Sequence, residues 1–166
     1  DTFDYDLLLE EAELNPFLER FYLNRQQTAL ATQLFFLFQR VQIITELKQR
    51  EMFEQARVAD FVLEKDPLFA RVNLEPDEFA LYEKVFRKMR VDAPVPDLVI
   101  YLQASPDRLL ERIDRRGIDA ERLIDRQYLE QLNEVYSEFF LYYDAAPLLL
   151  VNANEIDLAQ GDRDYE

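Results

Sequence analysis

The sequence predicts an α/β fold: a parallel sheet with helices on both faces. Two observations carry that prediction. Four short apolar runs, Leu7-Leu8-Leu9, Val58-Ala59-Asp60-Phe61-Val62, Leu98-Val99-Ile100-Tyr101-Leu102 and Leu148-Leu149-Leu150-Val151, are separated by segments of helical periodicity. Each run is continuously rather than alternately hydrophobic, the pattern of strands covered on both sides. Right-handed crossovers then place helices on both faces, with ligands at the carboxyl ends of the strands.

The first run follows Asp6 and ends in Glu10 and Glu11, and a short helix is predicted to start near Pro16. A long helix is expected from about Thr28 to Arg50. Leu30, Leu34, Leu37, Val41 and Ile44 recur there at helical spacing, and Phe35, Phe36 and Phe38 widen the apolar face. After the second run, Glu78 to Met89 reads as a helix with Phe79, Tyr82, Val85 and Phe86 inward. Ser105-Pro106-Asp107 opens another, with Ser as N-cap, Pro in the first turn and Gly117 as its stop. Arg126 to Asp144 forms the last helix, dense in Tyr and Phe, and the tail from Asp157 is polar. With no repeat, low-complexity segment or linker, residues 1–166 read as one domain with a substantial core.

Composition removes whole classes of chemistry. The chain has no His and no Cys, which excludes the usual zinc sites, His-dependent nucleophilic catalysis, haem and iron–sulfur ligation. The absence of Cys also suits a reducing, cytoplasmic setting. A net charge of −15 argues against a protein that coats nucleic acid. No apolar run is long enough for a membrane span. With only two glycines, Gly117 and Gly161, neither a dinucleotide fingerprint nor a phosphate-binding P-loop can be written within these residues.

Four groups of residues have the chemistry for a site. Glu10, Glu11 and Glu13 crowd the end of the first strand, where a carboxylate can act as general base on a hydroxyl; the structural alternative is an acidic helix start. Gln33 and Arg40 share one face of the long helix, two turns apart. Both side chains can hydrogen-bond the edge of a flat heterocycle, or else lie at the helix border with their heads in solvent. Asp60, inside a predicted buried strand, needs a partner or a metal, and Mg²⁺ with phosphates suits it; capping of the next segment is the plainer reading for Asp60 and Asp66 alike. Arg108, Arg112, Arg115, Arg116, Arg122 and Arg126 form the one dense basic stretch, matched to phosphate oxygens or to the neighbouring Glu111, Asp114 and Glu121.

Together these stretches resemble the bacterial deoxynucleoside kinases of the deoxyadenosine/deoxyguanosine kinase group. The likeness runs nearly end to end: Glu10 with Asn15-Pro16-Phe17-Leu18 and Phe21-Tyr22, Gln33 to Arg40, Asp60 to Ala70, Pro96 to Leu102, and Arg112 to Leu129. It implies a three-layer P-loop kinase fold and transfer of the ATP γ-phosphate to a deoxynucleoside 5′-hydroxyl, with Mg²⁺, in a homodimer formed through the long helices. Position by position it implies Glu10 as general base, Tyr22 and Glu121 on the sugar 3′-hydroxyl, and Gln33 on the base edge. Arg40 and Asp66 match the polar pair beside it, and Phe69 matches an aromatic stacked on the base. Asp60 matches an acidic residue that assists the metal. Arg112 and Arg116 match lid arginines on the donor phosphates, in a lid of about residues 112–124.

Three departures stand out. Phe61 occupies the place where the family often has Arg, which leaves open the group that steadies Glu10 and the 5′-oxygen. Ile118 stands where a further lid arginine is common, with Arg115 or Arg122 as substitutes. The family's first strand and glycine-rich loop have no counterpart among residues 1–166, so this segment alone is expected to be inactive and the complete enzyme active. Two alternatives remain at this point. One is a nucleoside monophosphate kinase of related fold, with Arg20 or Arg25 on the acceptor phosphate; the other is a non-catalytic nucleoside-binding or acidic interaction module.

Overall fold

Among the described residues, two pairs of parallel strands carry the helices. The computed structural model describes residues 5–49, 56–89 and 93–156. It divides into two compact units, Asp1–Ala93 and Pro94–Glu166. The end of the long helix at Arg50, the tail from Asp157 and Gly161 lie outside the described residues.

In the first unit, β1 (Asp6–Leu8) pairs in parallel with β2 (Arg57–Ala59), in the register Asp6↔Arg57 and Leu8↔Ala59. Between them run α1 (Leu18–Leu23) and α2 (Arg25–Gln49); after β2 come α3 (Lys65–Asn73) and α4 (Pro76–Met89). α2 packs on α1, α3 and α4. The core they enclose holds Phe21, Ala29, Leu37, Val41, Ile44, Leu63, Ala70, Leu74 and Tyr82. Helical periodicity is therefore present in α2, but its buried stripe is shifted from the predicted one. Thr32, Gln33 and Arg40 lie in it, while Leu30 and Leu34 are only partly buried and Phe38 is exposed.

Asp60 corrects a second expectation. It is exposed, in the bend after β2, rather than inside a buried strand. At the strand's end Asp60 is tied to the first chain segment by backbone and side chain. Its backbone N–H donates to the Leu8 carbonyl at 3.2 Å, and its Oδ1 accepts the Glu10 N–H at 3.0 Å.

In the second unit, β3 (Val99–Gln103) pairs in parallel with β4 (Leu148–Asn152). α5 (Pro106–Arg116) and α6 (Arg126–Leu141) connect them. Ser105 caps α5 through its hydroxyl, which accepts the Arg108 N–H, and Gly117 ends it at φ 73° with its N–H on the Ile113 carbonyl. That is the left-handed conformation in which a residue without Cβ is favoured. Asp125 caps α6 by accepting the Tyr128 N–H at 2.8 Å. Tyr101 of β3 stacks on Phe140 of α6 at 4.3 Å. Burial on β3 follows the strand period: Val99 is buried and Tyr101 half-buried, while Ile100 and Leu102 are exposed. This strand is therefore covered on one side only in these residues, where continuous hydrophobicity predicted two.

Candidate active site

The site grows from the chain just beyond β1. Asn15 fixes that segment on α2: its amide donates to the Thr32 carbonyl at 3.3 Å, and its Oδ1 accepts the Phe17 N–H at 3.0 Å. The Asn-Pro-Phe motif thus anchors the turn that follows Glu10. The backbone of Glu10 is tied to Asp60, and its side chain points to the buried stripe of α2.

There Arg40, with a side chain 4% exposed, bridges two carboxylates. Its Nη2 donates to Glu10 Oε1 at 2.6 Å, and its Nη1 donates to Asp66 Oδ2. The Arg40 Nε is buried with no partner among the described residues. On its other side Glu10 meets Lys65, whose Nζ lies 2.7 Å from Oε2. Asp66, fully buried, takes a further hydrogen bond from the Tyr82 hydroxyl on its Oδ1. Two cations and two carboxylates therefore form one low-dielectric cluster. Such a cluster is tolerated because each charge has a counter-charge and a directed hydrogen bond.

Burial pushes the Asp66 carboxyl above its ordinary value; the Arg40 charge and the hydrogen bonds from Tyr82 and Arg40 pull against it, and Glu10 adds to the rise. Burial, and then the charge of Asp66 beside it, raises the Tyr82 phenol well above its ordinary 10.0. Tyr82 is accordingly a fixed hydrogen-bond donor to Asp66.

Gln33 lies on the α2 stripe two turns before Arg40, 3% exposed, with no side-chain hydrogen bond to any described residue. An amide in that state retains its full capacity for an incoming ligand. The border placement with heads in solvent is excluded for both residues. Tyr22 on α1 and Phe69 on α3 are half-buried in the same unit, Tyr22 edge-on to Phe21 at 5.5 Å.

In the second unit, Arg112 donates to the carbonyls of Ala153 at 2.5 Å and Ile156 at 2.8 Å. Arg116 pairs with Glu121 at 3.0 Å. Between them lies the Gly117 turn, followed by a single 3₁₀ stretch, Asp119–Leu123. Among the other arginines of this stretch, Arg108 pairs with Glu111, Arg122 with Asp119, and Arg126 with Asp107 and Glu130. Among the described residues no group of three or more acidic side chains gathers as a metal cage. Asp60, like Glu11, offers an exposed carboxylate at the strand ends of its unit, which suits Mg²⁺, an ion commonly held by one or two carboxylates plus phosphates and water.

The structure thus brings together Glu10, Arg40, Asp66 and Asp60, which the sequence offers in separate groups, and keeps Gln33 on the same helix stripe as Arg40. Sequence reasoning misses Lys65 and Tyr82. Tyr82 reads as an ordinary inward aromatic, and Lys65 carries no local signal; their partners lie far off in the sequence.

Comparison with known proteins identifies the family. The family profile "Deoxynucleoside kinase" matches residues 1–166. A deoxyguanosine kinase of Bacillus subtilis is 30% identical over 99% of this chain and 82% of its own length. A deoxyadenosine/deoxycytidine kinase of the same organism is 27% identical over 95% and 75%. Among solved structures, a deoxyadenosine kinase from M. mycoides with dCMP and dCDP bound superposes with a TM-score of 0.80 at 31% identity, covering 94% of this chain and 81% of that one. The same enzyme with dATP bound also gives 0.80, at 30% identity, covering 95% and 81%. The chain belongs to the deoxynucleoside kinase family.

Proposed function

We propose that Glu10 is the general base in transfer of the ATP γ-phosphate to the 5′-hydroxyl of a deoxynucleoside, whose base meets Gln33, Arg40 and Asp66. The observation that carries this reading is the clamped carboxylate: Arg40 on Oε1 and Lys65 on Oε2 give Glu10 one orientation. Each oxygen still has a lone pair for the substrate proton. The amide of Gln33, on a buried position of α2 and without a hydrogen bond to any described residue, supports contact with a base edge, and since it donates and accepts it suits more than one base. Phe69 is the proposed stacking ring, and Tyr22 with Glu121 the proposed pair for the 3′-hydroxyl.

Residues 112–124 form the proposed lid, with Arg112 and Arg116 for the donor phosphates. Its support is the turn at Gly117 and the exposed Arg116 guanidinium, held by one carboxylate that a phosphate can replace. Asp60 is the proposed Mg²⁺ contact; when bound, the ion neutralises charge on the phosphates. A cytoplasmic homodimer completes the proposal. The cysteine-free composition suits a reducing compartment, the exposed Phe38 on α2 suits a helix interface, and no described helix is long and apolar enough to cross a membrane. Nucleic acid is not a proposed partner, given the net charge of −15.

Glu10→Gln tests the reading. It is expected to lower kcat by about 10²-fold or more while deoxynucleoside affinity by calorimetry changes by about threefold or less. Full activity in that variant removes Glu10 as the base. Comparing deoxynucleosides with their monophosphates as acceptors separates this activity from a monophosphate kinase.

A further inference from the structure

The proposed base leaves one question of charge. By the resemblance the family often has an arginine at position 61, though some bacterial relatives carry an aromatic there, and this chain has Phe61. Arg40 is poorly placed to supply that cation, because it already bridges Asp66 and Glu10 and its side chain is 4% exposed. Lys65 also serves Glu10, but it is the more accessible of the two cations. Its side chain is 18% exposed, and its one ion pair among the described residues is with Glu10 Oε2, at 2.7 Å. An ammonium has three N–H donors, so two remain. The Phe61 ring lies 5.9 Å from Nζ, within cation–π range, so the aromatic residue seats the lysine.

We propose that Lys65 is a catalytic residue that contacts the acceptor 5′-oxygen and supplies the positive charge missing at Phe61. This rests on the reading of Glu10 as base. A hydroxyl donating to Glu10 Oε2 sits about 2.7 Å from that oxygen, and Nζ is 2.7 Å from the same atom, so a hydroxyl that approaches Oε2 from the ammonium's side comes within reach of a second Nζ donor. In the transfer, the hydroxyl proton passes to the Glu10 carboxylate. The 5′-oxygen forms a bond to the γ-phosphorus, and the bond to the β,γ-bridging oxygen breaks to release ADP. Lys65 keeps its proton throughout, and its charge faces the anionic oxygen as it develops.

The test compares kcat and KM for the deoxynucleoside in the full enzyme with Lys65→Met, Lys65→Gln, Lys65→Arg and Glu10→Gln. Removing the charge is expected to lower kcat about 10²-fold with KM held within about threefold, in both Lys65→Met and Lys65→Gln. Lys65→Arg is expected to recover tenfold or more of that loss, and calorimetric binding of the deoxynucleoside to persist in every folded variant. Gln serves as the near-isosteric control should Met fail to fold. A kcat within twofold of the parent in either neutral variant overturns the proposal, as does a rise in KM with unchanged kcat. Impaired Glu10→Gln with normal Lys65 variants removes Lys65 alone, whereas full activity in Glu10→Gln removes the underlying base assignment.

Discussion

Replacing Arg40 by Leu leaves two carboxylates facing each other in the core of the first unit, one of them, Asp66, fully buried. With charge centres about 4 Å apart and an effective dielectric of about 20, each ion pair contributes about 4 kcal/mol of attraction before desolvation is subtracted. The net loss for breaking a buried pair is about 3–5 kcal/mol, because the remaining charge stays buried without its partner. At a urea m-value of about 2 kcal/mol/M this moves the unfolding midpoint down by about 2 M. Arg40→Leu combined with Asp66→Asn removes both charges and keeps an acceptor for the Tyr82 hydroxyl. It is expected to recover half or more of the loss, so the coupling in the double-mutant cycle is about 2 kcal/mol plus the cost of Asp66→Asn alone. Urea denaturation of the four proteins, followed by circular dichroism, measures this. A coupling under about 0.5 kcal/mol refutes the argument, since it would mean that water screens the pair.

Tyr82→Phe leaves Asp66 Oδ1 without its donor and is expected to cost about 1–3 kcal/mol at neutral pH. Above the ordinary tyrosine value of 10.0 the unfolded chain releases the phenol proton that the native protein retains, so stability from Tyr82 falls as pH rises. The slope is up to about 1.4 kcal/mol per pH unit. The variant's deficit therefore narrows between pH 10 and 11 in denaturation curves, and an unchanged deficit contradicts the raised phenol. Gln33→Leu is expected to keep or raise the thermal midpoint while weakening deoxynucleoside binding about tenfold or more; equal affinity by calorimetry would detach Gln33 from the base. Gly117→Ala meets nothing within 4 Å at its new Cβ, so its cost is backbone strain alone, about 1 kcal/mol by thermal melting. A neutral result would show that the turn readily abandons its left-handed conformation.

What was legible in the sequence follows from how far each residue's partner lies along the chain. Seven-residue spacing puts Gln33 and Arg40 on one helix face without any knowledge of the fold. Ser105, Pro106 and Gly117 likewise announce both ends of α5 through local capping chemistry. Lys65 and Tyr82 carry no such local mark. Lys65 meets Glu10 and Tyr82 meets Asp66 only once α3 and α4 have packed on α2. Asp60 shows the opposite error: its apolar neighbours suggest a longer strand, but the strand ends at Ala59 and Asp60 is tied to the Glu10 N–H. The start of α4 at Pro76 rather than Glu78 is a smaller miss, since proline at a first helical position was available as a signal.

The shared guanidinium of Arg40 has a consequence for changing what this enzyme accepts. A substitution at Asp66 intended to retune base preference also releases one fork of Arg40, and the freed fork is bonded through the same carbon to the one that orients Glu10. If Glu10 and Asp66 hold the roles proposed for them, selectivity and turnover are in this way wired to a single side chain. Variants screened for a new nucleobase are then expected to arrive slow, and to regain speed through second changes around Glu10 rather than around the base.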